Sequence, residues 1–198
     1  MNVGILGGTF DPIHTGHLIL AEEARVQLRL NEVIFIPTGQ SWLKAGRNIT
    51  PVFHRVEMVR RAIADKLYFE LCTLEVEHPG PSYTVDTLMA LRELRGTEAD
   101  FFLILGHDIL ADLPLWKEPN RLIQMCRLVA APRSGPIVDL DALEESMPGI
   151  KNNIIELDMP VIEISSSAIR QRLAKGLPIR HFVPEGIEKY IAEQKLYG

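Results

Sequence analysis

Val3-Gly4-Ile5-Leu6-Gly7-Gly8-Thr9-Phe10-Asp11-Pro12-Ile13-His14-Thr15-Gly16-His17 is the stretch that decides the fold. Val3 to Leu6 is a short apolar run closed by Gly7-Gly8, which reads as a buried strand ending in a tight turn. Beyond the turn, Leu18, Ala21, Ala24 and Leu28 recur at helical spacing. Glu32 to Ile36 is then a second apolar strand, stopped by Pro37. Strand, helix and strand in that order make a β-α-β unit.

The alternation continues outward. Val52, Val56, Val59 and Ile63 mark a second amphipathic helix, Tyr68 to Val76 a strand, and Val85, Leu88, Leu91 and Leu94 a third helix. Phe101 to Leu105 and Arg127 to Ala131 are further apolar strands, and Ile154 to Leu157 is the last. Near-continuous apolar strands between helices predict an α/β fold, a Rossmann-like parallel sheet with helices on both faces. Residues 165–198 carry two helical patterns, Ile169 with Leu173 and Ile187 with Ile191, and read as a C-terminal helical extension. The stretch from Gly39 to Pro51 lacks periodicity and is expected to be a mobile loop.

A chain of 198 residues, 46% hydrophobic and 24% charged, is long enough for one sizeable core, so residues 1–198 are expected to form a single domain. A formal net charge of -5 supplies no field for holding a nucleic-acid backbone. The only cysteines, Cys72 and Cys126, stand far apart without a CxxC pair, which argues against a disulfide framework or structural zinc. The N-terminus has no basic region, and no segment approaches about 18 apolar residues. A cytoplasmic protein that binds neither membrane nor nucleic acid is the expectation.

Chemistry concentrates where the first strand meets the first helix. A helix start there offers free N–H groups and positive potential to a phosphate, and glycines permit close backbone approach. His14 and His17, three apart, share a helical face and are able to aim two ring donors at one phosphate group. A metal site is the rival reading of the pair, but no third ligand stands at a compelling spacing. Near the other end, Ile164-Ser165-Ser166-Ser167-Ala168-Ile169-Arg170 is a serine-rich helix start. Ser165 suits a cap, and Ser166 and Ser167 add donors beside the dipole.

The Gly-Gly-Thr-Phe-Asp-Pro-x-His-x-Gly-His segment resembles the T/HxGH signature of the nucleotidyltransferase superfamily, and the serine-rich segment is similar to its ISSTxxR motif. His54-Arg55-Val56-Glu57-Met58, Gly80 to Leu88, and Leu105-Gly106-His107-Asp108 followed by Leu113-Pro114-Leu115-Trp116 resemble the bacterial nicotinate-mononucleotide adenylyltransferases, through to Leu196-Tyr197. The resemblance implies ATP binding by Gly8, Thr9, Phe10, His14, His17, Ser165, Ser166, Ser167 and Arg170. It implies an acceptor site at Lys44, Thr84, Asp108, Trp116 and Arg133, and catalysis by His14, His17, Lys44 and Arg170. The partners implied are ATP, with Mg2+ carried on its phosphates, and nicotinate mononucleotide, with a homo-oligomer left open.

The residues themselves leave choices. Trp116 is either a flat partner for a pyridine ring or ordinary core, and Thr84 either offers N–H groups to a carboxylate or only caps a helix. Lys44 and Arg133 are ligand contacts or solvated surface charges. The family's Pro-Pro-His-Lys-like loop segment is Ser41-Trp42-Leu43-Lys44 here, so the lysine is kept while the histidine and prolines are missing. His107 stands where relatives carry a small or amide residue. Phosphopantetheine adenylyltransferase shares both motifs, but it is shorter and lacks the Pro-Ser-Tyr-Thr and Leu-Pro-x-Trp segments. A module that senses ATP without turning it over is the non-enzymatic alternative.

Overall fold

Strand β1, Asn2–Gly8, is the hub of the molecule in a computed structural model that describes residues 1–41, 49–96, 98–135 and 138–198. It is followed by α1 (Thr15–Gln27), β2 (Glu32–Pro37), β3 (Gln40–Ser41), α2 (Val52–Ile63), β4 (Phe69–Leu71) and α3 (Leu74–Glu77). Next come β5 (Pro81–Ser82), α4 (Thr84–Arg95), β6 (Asp100–Gly106) and a 3₁₀ helix (His107–Leu115). The chain continues through α5 (Pro119–Met125), β7 (Cys126–Ala131), α6 (Leu140–Ser146), α7 (Ile150–Asn153), β8 (Ile154–Glu156), α8 (Ser166–Ala174) and α9 (Glu185–Glu193).

Six strands pair in the order β4-β2-β1-β6-β7-β8, every pair parallel. The chain winds from β1 outward through β2 to β4, then returns to the far side of β1 and winds through β6, β7 and β8. The reversal leaves a crevice between the carboxyl ends of β1 and β6, the place where open parallel sheets bind ligands. Alternating side chains feed two cores. Val3, Ile5, Ile34, Ile36, Leu103 and Leu105 pack with residues of α4, α5 and the 3₁₀ helix. Leu6, Val33, Phe35, Phe102, Ile104 and Val129 pack with residues of α1, α2, α8 and α9. The last helix belongs to that second core: Ile187, Tyr190 and Ile191 are all buried, and each such side chain contributes about 2 kcal/mol by leaving water.

Three expectations are corrected in detail. β1 runs through Gly7 and Gly8, so the glycines end the strand and the turn falls on residues 9–12. Phe10 takes the left-handed conformation there, φ 49°, and its ring fills the space above Gly8, where a Cβ would stand 3.2 Å from it. The strand expected from Tyr68 to Val76 pairs only at Phe69–Leu71 and gives way to helix α3. Pro37, at the end of β2, has no N–H with which to extend the ladder. The alternation of Cys72, Leu74 and Val76 imitates a strand period. Within the expected Gly39–Pro51 loop, Gln40 and Ser41 form β3, which pairs with β5. The remainder of that expectation, residues 42–48, lies outside the described residues.

Candidate functional site

The crevice holds a cavity of about 500 Å³. It is lined by the β1–α1 turn, His14, His17 and the start of α8, and by Ser82, Tyr83, Thr84, Trp116 and Arg133. The cavity therefore brings the two motif segments and the acceptor candidates Thr84, Trp116 and Arg133 onto one surface.

His14 occupies the N-cap of α1 and His17 its third helical position, and their rings stack with centroids 3.6 Å apart. Gly16 permits this stacking, because a Cβ on it would meet the His14 ring at 3.1 Å. The backbone N–H of His14 donates to Nδ1 of His17 at 3.2 Å. In its neutral form His17 then carries its proton on Nε2. His14 is 6% exposed, and burial, reinforced by the charge of Arg133, lowers its pKa to about 4. Its ring is therefore neutral at pH 7, and its Nδ1 is buried without a hydrogen-bond partner among the described residues.

A buried neutral histidine has a consequence for stability. The unfolded chain protonates His14 near the ordinary 6.5 and the folded chain near 4, so between these values the unfolded state binds more protons. Stability present above pH 6.5 is lost as pH falls toward 4, by up to about 3 kcal/mol. Urea unfolding from pH 4.5 to 7.5 should show this slope in the unsubstituted chain and a flatter one in His14→Gln.

The start of α8 is fastened to the β1–α1 turn. Ser165 caps the helix by accepting from the N–H of Ala168 at 3.2 Å. Ser166 donates its hydroxyl proton to the carbonyl of Pro12 at 2.8 Å. That hydroxyl, expected to serve a phosphate, is spent joining the two motifs. Arg170 donates to the carbonyl of Asp11 at 2.6 Å and to Ser167 Oγ at 3.3 Å, and its guanidinium lines the cavity.

Tyr83 is the N-cap of α4 and its side chain does not cap the helix, and Thr84, the first helical residue, lines the cavity. Trp116 lines the cavity too, its indole Nε1 buried and without a partner among the described residues. Arg133 lines the cavity and faces Asp108, Nε to Oδ2 4.0 Å. Asp108 and His107 are not among the cavity-lining residues, so Asp108 meets the site through Arg133. Lys44 lies outside the described residues.

Two residues at the site had no role assigned from sequence. Arg55, 3% exposed, donates to the carbonyls of Thr9 (2.7 Å), Thr38 (2.9 Å), Thr50 (3.0 Å) and Gly39 (3.4 Å), tying the turns after β1 and β2 together. The signal was its spacing: Arg55 shares the buried face of α2 with Met58, Val59 and Ala62, and a cation on an apolar stripe needs partners. Glu75 accepts from Thr87 Oγ1 at 2.9 Å and lines the cavity, and burial raises its pKa. No local pattern marked it, because its helix was read as a strand. Among the described residues no group of three or more His, Cys, Asp or Glu is placed to hold a metal ion. No described helix is long and apolar enough to cross a membrane.

Strand order and the histidine pair at the reversal of winding make this a doubly wound α/β nucleotide-binding protein. Residues 5–172 match the cytidylyltransferase-like family, and the chain belongs to that family. A probable nicotinate-nucleotide adenylyltransferase of Dehalococcoides mccartyi (strain CBDB1) is 46% identical over 198 residues, 100% of this chain and 97% of that one. One of the same name from Roseiflexus sp. (strain RS-1) is 47% identical over 195 residues, 98% of this chain and 97% of that one. The fold matches that of Plasmodium falciparum nicotinic acid mononucleotide adenylyltransferase complexed with NaAD, with a TM-score of 0.79 and 23% identity over 99% of this chain and 97% of that one.

Proposed function

We propose that this chain is a nicotinate-nucleotide adenylyltransferase, which joins ATP and nicotinate mononucleotide into nicotinate adenine dinucleotide with release of pyrophosphate. The observation that carries the reading is that one cavity is lined both by His14, His17 and Arg170, donors suited to phosphate, and by Trp116 and Thr84. Relatives at 46% and 47% identity over nearly their whole length bear the same name.

The chemistry asks for positioning more than for acid–base catalysis. An acceptor phosphate oxygen, already ionised near neutral pH, attacks the α-phosphorus of ATP. The new O–P bond forms as the bond to the bridging oxygen breaks, and the electron pair leaves on pyrophosphate. Both histidines, with Arg170, donate to the charge that builds on these oxygens, where fixed donors in a partly closed site are worth most. Lys44 joins them in this reading. Backbone N–H groups of Gly8, Thr9 and Phe10 line the path of the triphosphate. Ser167 orients Arg170 through its hydroxyl, and Ser165 secures the helix start.

Mg2+ carried with ATP would offset charge on the triphosphate, beside the donors of His14, His17 and Arg170. At the acceptor end, Trp116 stacks on the pyridine ring, N–H groups at Thr84 receive its carboxylate, and Arg133, held by Asp108, meets the acceptor phosphate.

Pyrophosphate release with ATP and Mg2+ should be fast with nicotinate mononucleotide and much slower with nicotinamide mononucleotide or phosphopantetheine. Turnover only with phosphopantetheine would overturn the acceptor assignment. ATP binding with no turnover on any of the three would point instead to a sensing module.

A further inference from the structure

The segment after α9 turns back into the nucleotide site. Helix α9 ends in a Schellman-type cap: Leu196 N–H donates to Ile191 O at 3.0 Å and Lys195 N–H to Ala192 O at 3.3 Å. Lys195 takes the left-handed conformation, φ 51°, where glycine is usual, and Tyr197 does so again at φ 68°. Two non-glycine residues in that region within three positions cost conformational energy, which the contact made by Tyr197 offsets.

That contact is with Asp11, in the turn between β1 and α1. The Tyr197 hydroxyl donates to Asp11 Oδ1 at 2.7 Å, and Thr50 N–H reaches Oδ2 at 3.4 Å. Asp11 is 4% exposed, and its Oδ2 lies 3.9 Å from Nη1 of Arg170, too far for a hydrogen bond. Arg170 donates instead to the backbone carbonyl of Asp11 and to Ser167. A buried carboxylate that close to a guanidinium draws it into a bidentate pair unless other donors hold the carboxylate. Burial and the neighbouring Asp11 carboxylate keep the Tyr197 phenol protonated, so it stays a donor throughout the working pH range.

We propose that Tyr197 is a positioning residue for ATP: its hydroxyl holds the Asp11 carboxylate back from Arg170, leaving the guanidinium free for the triphosphate. The inference rests on the reading of Arg170 as a triphosphate contact. Without the phenol hydroxyl, Asp11 loses its shortest bond and turns to Arg170, and the arginine is withdrawn from the nucleotide.

Tyr197→Phe keeps the ring and removes only the donor. Titration calorimetry with ATP and Mg2+ should show binding weakened about tenfold, the size expected for a lost hydrogen bond to a charged group, while KM for nicotinate mononucleotide changes less than twofold. In an Arg170→Ala background the same substitution should change ATP binding less than twofold, because the residue through which it acts is gone. A chain ending at Leu196 should match Tyr197→Phe. Unchanged ATP binding in both shortened and substituted chains would overturn the proposal. So would an equal loss for ATP and acceptor, or an undiminished loss in the Arg170→Ala background, since each marks a general structural effect. ATP binding needs no acceptor, so this outcome stands apart from pyrophosphate release by the unsubstituted chain, which tests the function.

Discussion

His17→Ala is expected to lower kcat by about 10² to 10³ while leaving the fold in place. The magnitude is that of one fixed donor removed from a site where charge builds in the transition state. The Nδ1 of His17 is occupied by the N–H of His14, which orients the ring, and His17 lines the cavity. His17→Asn should retain more activity than His17→Ala, since an amide also donates. Steady-state kinetics with both substrates saturating, beside thermal unfolding of each variant, separates the catalytic loss from any loss of stability. A kcat within fivefold of the unsubstituted chain would remove His17 from the chemistry.

Arg55→Met is expected to destabilise the chain by about 3–5 kcal/mol, the largest single-residue loss anticipated. The guanidinium satisfies four buried or half-buried carbonyls and stands near the buried Asp11 carboxylate. Removing the cation takes its N–H donors from those oxygens and leaves Asp11 with Arg170 as its remaining neighbouring positive charge, the costly kind of deletion. Methionine fills similar volume, so the loss is polar rather than a cavity effect. Urea unfolding measures it. ATP should stabilise the variant less than it stabilises the parent, because two of the carbonyls that Arg55 serves belong to the turns that line the site.

Much of this was legible in the sequence for identifiable reasons. Parallel strands buried on both faces leave near-continuous apolar runs, so β1, β2, β6 and β7 announced themselves. Spacing placed α1, α2 and α4. The strand–turn–helix junction located the crevice, since winding order and helix dipole together fix where an anion binds in such a sheet.

What escaped depends on distance along the chain. Tyr197 and Asp11 meet across 186 positions, and no periodicity encodes such a contact. Ser166 read as a phosphate donor because it stands in a serine-rich helix start, and the fold gives its hydroxyl the carbonyl of Pro12. Short β4 and helix α3 were misread because an apolar–polar alternation of a few residues fits strand and single-turn helix alike. Asp108 sits one residue beyond the helix-opening His107, and its side chain faces Arg133 rather than the cavity, a difference of direction that motif position does not carry.

The central claim is that a positioned acceptor attacks ATP directly, with His14, His17 and Arg170 stabilising charge and none of them bonding to phosphorus. The stereochemical course tests this most directly, using ATP with one non-bridging α-oxygen replaced by sulfur and nicotinate mononucleotide as acceptor. Phosphorus NMR then assigns the configuration of the thiophosphate dinucleotide. One in-line displacement predicts inversion at the α-phosphorus, and retention would contradict the account by requiring a covalent adenylyl-enzyme and two displacements.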